Sequence, residues 1–365
     1  MSEWKEYKLG EIAEILDFKR IPLSSMERAN KKGQYPYYGA SGIIDYLDDY
    51  IFEGEHVLIS EDGENLRSRQ TPIAFLADGK FWVNNHAHIV KSDCIHNRLI
   101  CYYFANLDLN PYITGAVQPK LSQNTLNRIP LFLPESLDDR REIVSILSSL
   151  DDKMDLLNRE NATLEAMAET LFRQWFIEEA KEDWEEVEFG EAINVYDSRR
   201  KPLSKMERDK MKNGKPLYPY YGAAEIMDYI DSYLFDGEYI LMGEDGTVKT
   251  DDGYPILQYA TGKFWPNNHA HVLQAKDPYN NCFIWNYLKT TNIENIVTGA
   301  VQPKINQANM LSLSFYKYPT DLVNKYNQVT ADWWKKEMAN KEQIETLIKQ
   351  RDMLLPKLMS NEITI

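Results

Sequence analysis

The chain carries the same ordered set of short segments twice, at an offset of 180 to 184 residues. The matching pairs are 4–11 and 184–191, 35–40 and 218–223, 84–88 and 267–271, and 114–120 and 298–304. The last pair, Thr-Gly-Ala-Val-Gln-Pro-Lys, is identical in every letter. A solenoid repeats every few tens of residues, so a period this long is not that of a solenoid. The pattern predicts a duplicated globular domain, and two equivalent domains indicate two equivalent targets.

Length and composition permit two domains of ordinary size. With 365 residues, 43% of them hydrophobic, the chain can bury two separate cores. The three cysteines, Cys94, Cys101 and Cys282, form no CxxC spacing, which predicts neither a disulfide framework nor a zinc site. The sequence has no signal-peptide pattern and no apolar run of membrane-spanning length. We therefore expect a cytoplasmic protein with no membrane partner.

The net charge of −15 argues against nucleic acid as a partner, but the charge is unevenly distributed. Residues 134–183 alone hold 14 acidic and 6 basic side chains, a balance of −8. Within the two copies, basic side chains cluster at equivalent places, in residues 19–32 and 199–215. A local basic face matters more for phosphate contact than the global sum. Two such clusters favour a shared role over two solvated loops.

Each copy contains patterns of both strands and helices. Short apolar runs at 56–60 and 239–242 are of strand length. The Glu-Asp-Gly that follows each run predicts a turn in which glycine takes a positive φ. Ser122 and Asn306 follow the Gly and Pro of the last repeated segment, where each suits the N-cap of a short helix. The predicted fold class is therefore α+β.

A heptad pattern follows the first copy. Its positions are spaced alternately four and three residues apart, and all but one are apolar: Ile143, Leu147, Leu150, Met154, Leu157, Asn161, Leu164, Ala168, Leu171 and Trp175. This spacing predicts a coiled-coil helix, in which the polar Asn161 fixes register at a cost in stability. A less regular stripe follows the second copy and includes Trp333, Trp334, Ile344, Leu347, Leu354 and Leu358.

These patterns predict two similar globular domains separated by two long helices, which form an antiparallel coiled coil with pseudo-twofold symmetry. The predicted domains are residues 1–137 and 181–320. The predicted connector helices are residues 138–180 and 321–365.

The sequence predicts no catalytic residue and no bound metal. His86 and His88 stand two residues apart, as do His269 and His271, but no further metal ligands repeat with them. We therefore expect these histidines to be structural or to take part in polar recognition. The chain has no glycine-rich phosphate loop, no nucleophile elbow and no adenine-methyltransferase motif. We expect no cofactor on this chain.

The two copies diverge directly after the Glu-Asp-Gly turns, at 64–70 and 247–254. A shared scaffold with divergent loops suits two readers of different base sequences, because arginine pairs bidentately with guanine, and asparagine or glutamine with adenine. The candidate base readers are Asn65, Arg67, Ser68, Arg69, Gln70, Thr247, Lys249, Thr250 and Tyr254. The alternative is a variable surface loop without a role.

The order of the motifs in both copies resembles the specificity subunit of Type I restriction-modification enzymes. These motifs are Trp-x-x-x-x-(Leu/Phe)-Gly-Glu, Tyr-Pro-Tyr-Tyr-Gly-Ala, Glu-Asp-Gly and Gly-Ala-Val-Gln-Pro-Lys, followed by a long helix. The resemblance covers essentially the whole chain. It implies that each copy is a target-recognition domain for one half of an interrupted double-stranded DNA site. It also implies that the helices set the spacing between the halves and dock two methyltransferase subunits.

The chemistry that this resemblance implies belongs to partners. The methyltransferase subunits would hold S-adenosylmethionine and modify adenine, and two translocase/endonuclease subunits would use ATP and magnesium to cleave DNA. The residues that we expect to contact phosphate are Lys19, Arg20, Lys31, Lys32, Lys120, Arg199, Arg200, Lys212, Lys215 and Lys304. Three alternatives stay open: a related system whose methyltransferase and nuclease are fused in one partner, a coiled-coil scaffold that does not bind DNA, and a metal hydrolase that uses the paired histidines.

Overall fold

The computed structural model describes residues 3–181, 183–299, 301–360 and 362–363. Residues 1–2 of the first predicted domain, Glu182 and Ala300 of the second, and residues 361 and 364–365 of the second predicted connector helix lie outside the described residues. The chain forms two compact units, one of residues 1–156 and 343–365 and the other of residues 157–342. The first unit is discontinuous in sequence because the last part of the chain packs within it.

The first domain contains short strands and helices. In chain order these are β1 (Trp4–Lys8), α1 (Leu9–Ile12), β2 (Glu14–Ile15), α2 (Ser25–Ala29), β3 (Lys32–Gly39), β4 (Gly42–Leu47), β5 (Phe52–Glu53), β6 (His56–Ser60), α3 (Asn65–Ser68), β7 (Ala74–Ala77), β8 (Lys80–Val83), β9 (Ala87–Lys91), α4 (Cys94–Asn106), α5 (Gln123–Asn127) and β10 (Pro130–Pro134). The strands form sheets in the orders β2-β9-β6-β7, β4-β3-β8-β5 and β1-β10. Among the described pairings of this domain, β3 with β8 is parallel and the others are antiparallel.

The long helix α6 (Leu137–Arg173) follows and continues as a π-helical turn over Gln174–Glu178. The second domain then comprises β11 (Glu186–Glu188), β12 (Ile193–Val195), α7 (Lys205–Lys210), β13 (Tyr218–Tyr221), β14 (Ile226–Ile230), β15 (Phe235–Asp236), β16 (Tyr239–Gly243), β17 (Leu257–Ala260), β18 (Lys263–Pro266), β19 (Ala270–Ala275), α8 (Asn281–Thr290), α9 (Gln307–Leu311) and β20 (Ser314–Tyr316). A second long helix, α10 (Thr320–Met359), ends the described secondary structure.

The second domain repeats the topology of the first. Its strand orders are β12-β19-β16-β17, β14-β13-β18-β15 and β11-β20, and β13 pairs with β18 in parallel. The equivalent strands β6 and β16 are buried along their whole length, because alternate residues pack into different hydrophobic cores on the two faces of the sheet. The repeat in the sequence is therefore a repeat of the fold.

The local signals at turns and helix ends are confirmed. Gly63 and Gly246 have φ values of 103° and 88°, so both Glu-Asp-Gly turns use a positive φ. The Ser122 hydroxyl accepts a hydrogen bond from the Thr125 N–H, and the Asn306 side chain accepts one from the Asn309 N–H. Both predicted N-caps are therefore present, at α5 and α9.

In each unit, one end of α6 packs with the opposite end of α10. In the first unit, Ile143 and Leu147 of α6 share a hydrophobic core with Leu355 and Leu358 of α10. In the second unit, Phe172 of α6 shares a core with Val323 and Tyr326 of α10, and the Tyr326 hydroxyl donates a hydrogen bond to Ala168 O at 3.1 Å. The two segments thus run antiparallel in each unit. The predicted class, two similar α+β domains with two long helices in contact, is confirmed.

The predicted interface positions of both helices are buried or half-buried. These are Leu147, Leu150, Met154, Leu157, Asn161, Leu164, Leu171, Trp175, Trp333, Trp334, Ile344, Leu347, Leu354 and Leu358. The heptad spacing did not identify Phe172 and Phe176, which are fully buried. Both pack against Phe283 of α8, with ring centroids 5.1 and 4.9 Å apart. The buried face of α6 is wider here, since the helix packs on its domain as well as on α10.

The polar seam residue Asn161 has a buried partner on α10. The Asn340 side-chain amide donates one hydrogen bond to Asn161 Oδ1 and another to Glu160 Oε2, each at 2.8 Å. Among the residues that the structure describes, no helix combines the length and the apolar character that a membrane span requires.

Candidate nucleic-acid interface

The Glu-Asp-Gly turn after β6 joins several of the repeated segments. The Gly63 N–H donates a hydrogen bond to Pro119 O at 3.1 Å, and the Leu121 N–H donates one to Glu61 O at 2.8 Å. The Glu61 N–H donates to His86 O at 2.9 Å, which adds the Asn-Asn-His turn before β9. In the second domain the equivalent bonds join Gly246 to Pro303, Ile305 to Glu244, and Glu244 to His269, at 3.0, 2.9 and 2.8 Å. Segments that are dispersed along the sequence therefore form one surface in each domain.

A buried ionic network supports this turn. In the first domain, Arg20 Nη1 lies 2.6 Å from Glu61 Oε2, and Lys120 Nζ lies 3.1 Å from Glu61 Oε1. His88 Nδ1 lies 2.6 Å from Asp17 Oδ2. Burial disfavours the charged form of Glu61, but the hydrogen bond from Arg20 and the charge of His88 outweigh burial, so the pKa of Glu61 lies below its ordinary value. The second domain repeats the network with Asp197, Arg200, Glu244, His271 and Lys304.

The ligand atoms of Asp17, Glu61 and His88 lie close enough together to surround a metal ion, as do those of Asp197, Glu244 and His271. The donor set does not fit one. His88 Nδ1 faces the Asp17 carboxylate, and His88 Nε2 faces Leu121 O at 2.8 Å. Two acceptors require a proton on each ring nitrogen, which leaves no lone pair for a metal.

His271 has the same two types of acceptor, Asp197 and Ile305 O. The two clusters are therefore ionic supports for the fold. The other histidine of the first pair, His86, is exposed in the turn before β9, and its Nδ1 lies 2.8 Å from Asp62 Oδ1. The paired histidines thus have different environments, one structural and one at the surface.

We call residues 114–120 and 298–304 the repeated loops. Thr114 and Lys120 close the first loop with two backbone hydrogen bonds of 2.8 Å, and Gly115 turns it with a φ of 87°. Thr298, Lys304 and Gly299 do the same in the second, where φ is 86°. A Cβ on either glycine would lie 2.2 or 2.3 Å from the carbonyl oxygen of Gln118 or Gln302, so only glycine fits. Each repeated loop is thus closed at its base, beside the Glu-Asp-Gly turn.

Comparison with known families identifies the class of protein to which this arrangement belongs. Residues 1–166 and 181–317 match the model of the Type I restriction modification DNA specificity domain. The chain belongs to this specificity family. Its function is to recognise DNA sequence for a Type I restriction-modification system, and the match favours none of the alternative functions.

Individual proteins agree with the assignment to the specificity family. The chain is 40% identical over 149 residues to a Haemophilus influenzae protein provisionally named type I restriction enzyme specificity subunit S.HindORF215P, a match that covers 40% of this chain and 37% of that protein. It is 22% identical over 422 residues to the Type I restriction enzyme MjaIX specificity subunit of Methanocaldococcus jannaschii, which covers 100% of this chain and 97% of that one. The S subunit of a Type I system from M. genitalium has the same fold, with a TM-score of 0.61 at 16% identity over 98% and 96% of the two chains.

The divergent loop of the first specificity domain, residues 64–70, includes the single helical turn α3 and is braced by its own polar side chains. Asn65 exchanges hydrogen bonds with the backbone of Thr71, at 3.1 and 2.9 Å. Arg67 donates to Gly115 O at 2.8 Å and to Ala116 O at 3.2 Å, which ties this loop to the repeated loop. Arg69, in the left-handed region with a φ of 51°, donates to Phe104 O and Leu107 O near the end of α4. Ser68 and Gln70 are exposed.

The divergent loop of the second domain, residues 247–254, is braced differently. Lys249 Nζ lies 3.2 Å from Glu294 Oε1. The Thr250 N–H donates to Tyr254 O at 2.8 Å, and the Tyr254 N–H donates to Thr250 Oγ1 at 3.1 Å. Thr247 is exposed. The two loops occupy equivalent places and differ in both sequence and internal bonding. The role of their side chains in base recognition stays a prediction.

The residues predicted to contact phosphate fall into two groups. Arg20, Arg200, Lys120 and Lys304 belong to the ionic networks. The rest lie at or near the surface. Lys19 and Lys215 are exposed, and Lys31 and Arg199 lie 5.9 and 4.4 Å from the ring centroids of Trp82 and Phe235. Two more form ion pairs: Lys32 lies 2.5 Å from Asp45, and Lys212 lies 2.9 Å from Asp209 and Asp228. Arg20 and Arg200 are largely buried, whereas Lys120 and Lys304 keep about half of their side-chain surface exposed despite their ion pairs. The role of all these residues in phosphate contact stays a prediction.

Proposed function

We propose that each specificity domain binds one half of an interrupted double-stranded DNA site. The divergent loops 64–70 and 247–254 select the bases, and the exposed basic side chains contact phosphate. This division follows the physics of DNA recognition, because phosphate contacts position a protein and base-edge contacts specify the sequence.

The observation that carries the proposal is a shared framework with unlike loops. The two domains have the same strand orders, the same Glu-Asp-Gly turns and the same repeated loops. The divergent loops begin directly after those turns, and in the first domain Arg67 binds the repeated loop itself. Two sites that share one framework but carry different side chains on these loops are suited to two different base sequences.

We further propose that this chain is a non-catalytic component of a cytoplasmic complex. The two long helices dock two methyltransferase subunits, which hold S-adenosylmethionine and methylate adenine in each half-site. They also set the spacing between the halves. Two translocase/endonuclease subunits join this complex and cleave DNA with ATP and magnesium. The long helices support the docking role, since several apolar side chains on them remain exposed, among them Leu156, Met167, Ile348 and Met353.

A loop exchange tests the assignment of base reading. The chain is produced with its methyltransferase subunits in a host without other adenine methylation, and modified adenines are mapped by single-molecule sequencing. Residues 64–70 are then replaced by residues 247–254. We expect one half-site to change while the other half-site and the spacer stay the same.

The matched control exchanges Asp78-Gly79 for Thr261-Gly262, two equivalent turns that join strands elsewhere in the domains. This control is expected to leave the recognised site unchanged. If the loop exchange altered only the spacer, or if the control altered a half-site as strongly, the loops would not be the base readers.

A further inference from the structure

The two repeated loops present one aliphatic side chain each to solvent. Val117 is 96% exposed and Val301 is 99% exposed. A single exposed valine on a protein surface is ordinary. Here the same residue occurs at the same place in two domains whose neighbouring loops have diverged. In both, it stands on a loop that two backbone hydrogen bonds close at the base, after a position where only glycine fits. The pair therefore points to a shared target.

Chemistry limits what such a target can be. A valine side chain has no hydrogen-bonding atom, so it contacts neither phosphate nor the polar edge of a base. The apolar group that a DNA major groove offers is the C5 methyl of thymine. The base of the loop is closed by backbone hydrogen bonds and the side chain of valine is restricted at χ1, so a contact with a methyl group costs little side-chain entropy.

We propose that Val117 and Val301 each contact the methyl group of a thymine at the equivalent place in the two half-sites. This inference rests on the proposed function. In that function the half-sites share at least one base pair, the adenine–thymine pair whose adenine is methylated. An element identical in both domains suits that shared pair, and the divergent loops suit the pairs that differ.

The contact between the loops supports this placement in the first domain. The Arg67 guanidinium holds both Gly115 O and Ala116 O, so the tip of the repeated loop and the divergent loop form one surface. In the second domain the side-chain amide of Gln302 donates to Asp245 Oδ1 at 2.8 Å, which fixes the loop to the Glu-Asp-Gly turn instead. Val117 therefore lies within two residues of the carbonyls that a predicted base reader holds, and Val301 stands on a loop fixed to the turn after which the divergent loop of its own domain begins.

The test replaces single thymines by uracil, which removes only the methyl group. Duplexes that carry the recognised site, with one uracil at a time, are bound by the complex of this chain with its methyltransferase subunits. For the unmodified chain, one position in each half-site is expected to lower affinity about three- to fivefold, the effect of one buried methyl group. With Val117→Ser, the uracil effect is expected to vanish in one half-site only, and with Val301→Ser in the other.

Val117→Ile, which keeps an apolar side chain, is expected to retain the uracil effect. Ile43→Ser on β4, an exposed aliphatic residue away from the long helices and the repeated loops, is the matched control for the substitution itself. If Val117→Ser lowers affinity equally for the thymine and the uracil duplexes, the inference is overturned, and the valine instead inserts between stacked bases. A weaker association with the methyltransferase, with uracil sensitivity unchanged, would overturn it in favour of a protein contact. The proposed function fails separately, if the unmodified complex shows no sequence preference at all.

Discussion

The buried pair Asn161–Asn340 yields a quantitative prediction about the helix pair. Asn340 is 1% exposed, and both N–H groups of its amide have acceptors, Asn161 Oδ1 and Glu160 Oε2. Asn161→Ala removes one acceptor and leaves a buried N–H without a partner, at a cost of about 1–3 kcal/mol. Asn340→Ala removes both hydrogen bonds, and we expect it to cost more. In the double variant no polar group is left stranded between these two positions, so its cost should be smaller than the sum by about 1 kcal/mol or more.

Urea unfolding of the full chain, followed by far-UV circular dichroism, measures these free energies. Asparagine is a poorer helix former than alanine, so each substitution also adds up to about 0.6 kcal/mol to the free energy of unfolding. This gain partly offsets the loss from the broken hydrogen bonds. Asn158→Ala measures that gain, because Asn158 is exposed on the same helix.

If the loss of unfolding free energy in the double variant equals the sum of the two single losses, within about 0.5 kcal/mol, the prediction is refuted. Such a result would mean that the two amides do not stabilise each other in solution. A paired Asn161→Leu and Asn340→Leu variant extends the test. We expect it to be as stable as the natural pair or more stable, because apolar residues often replace buried polar pairs without loss, while the fixed register is lost.

Two further predictions concern charged groups. Arg20→Met should lower the free energy of unfolding by about 3 kcal/mol, because it leaves the buried Asp17 and Glu61 carboxylates short of a partner. Lys19→Met at the exposed neighbouring position should change the free energy of unfolding little but lower the salt dependence of DNA binding. Equal stability of the two variants would contradict the structural role of Arg20. Burial and the nearby Glu165 raise the pKa of Glu337 to about 7, so the folded state holds this proton more tightly than the unfolded state. The protonated Glu337 carboxyl therefore stabilises the fold fully below the pKa that Glu337 has in the unfolded chain. This contribution, on the order of 1–3 kcal/mol, is lost as the pH rises through about 7. Thermal unfolding measured between pH 5 and pH 8 should show this fall in stability with rising pH. Glu337→Gln should remove the fall, and Glu345→Gln on the exposed face of the same helix should not. An unchanged fall in Glu337→Gln would show that another group titrates.

Several features of the fold follow from neighbours in the sequence. The heptad spacing of α6, the N-caps Ser122 and Asn306, and the positive φ of Gly63 depend on residues within a few positions of one another. Such local rules were sufficient to predict the fold class, and the ordered motifs were sufficient to predict the family.

The partners of buried polar groups could not be predicted in this way. Arg20 was predicted to contact phosphate, but its guanidinium binds Asp17 and Glu61 beneath the surface. Arg67 and Arg69 were predicted as base readers, and their guanidinium groups hold backbone carbonyls of the repeated loop and of α4. A cationic side chain in a loop is equally suited to DNA and to carbonyl oxygens, and only the path of the chain decides which acceptors lie within reach.

The amino-acid sequence alone determined that this protein is built from one domain repeated and from two long helices, because repetition and periodicity are written in order along the chain. The tertiary structure decided which side chains are free to meet a ligand. Asn161 is separated from Asn340 by 179 positions and Asp17 from His88 by 71. Their pairing depends on strand order and helix direction, which local spacing does not encode.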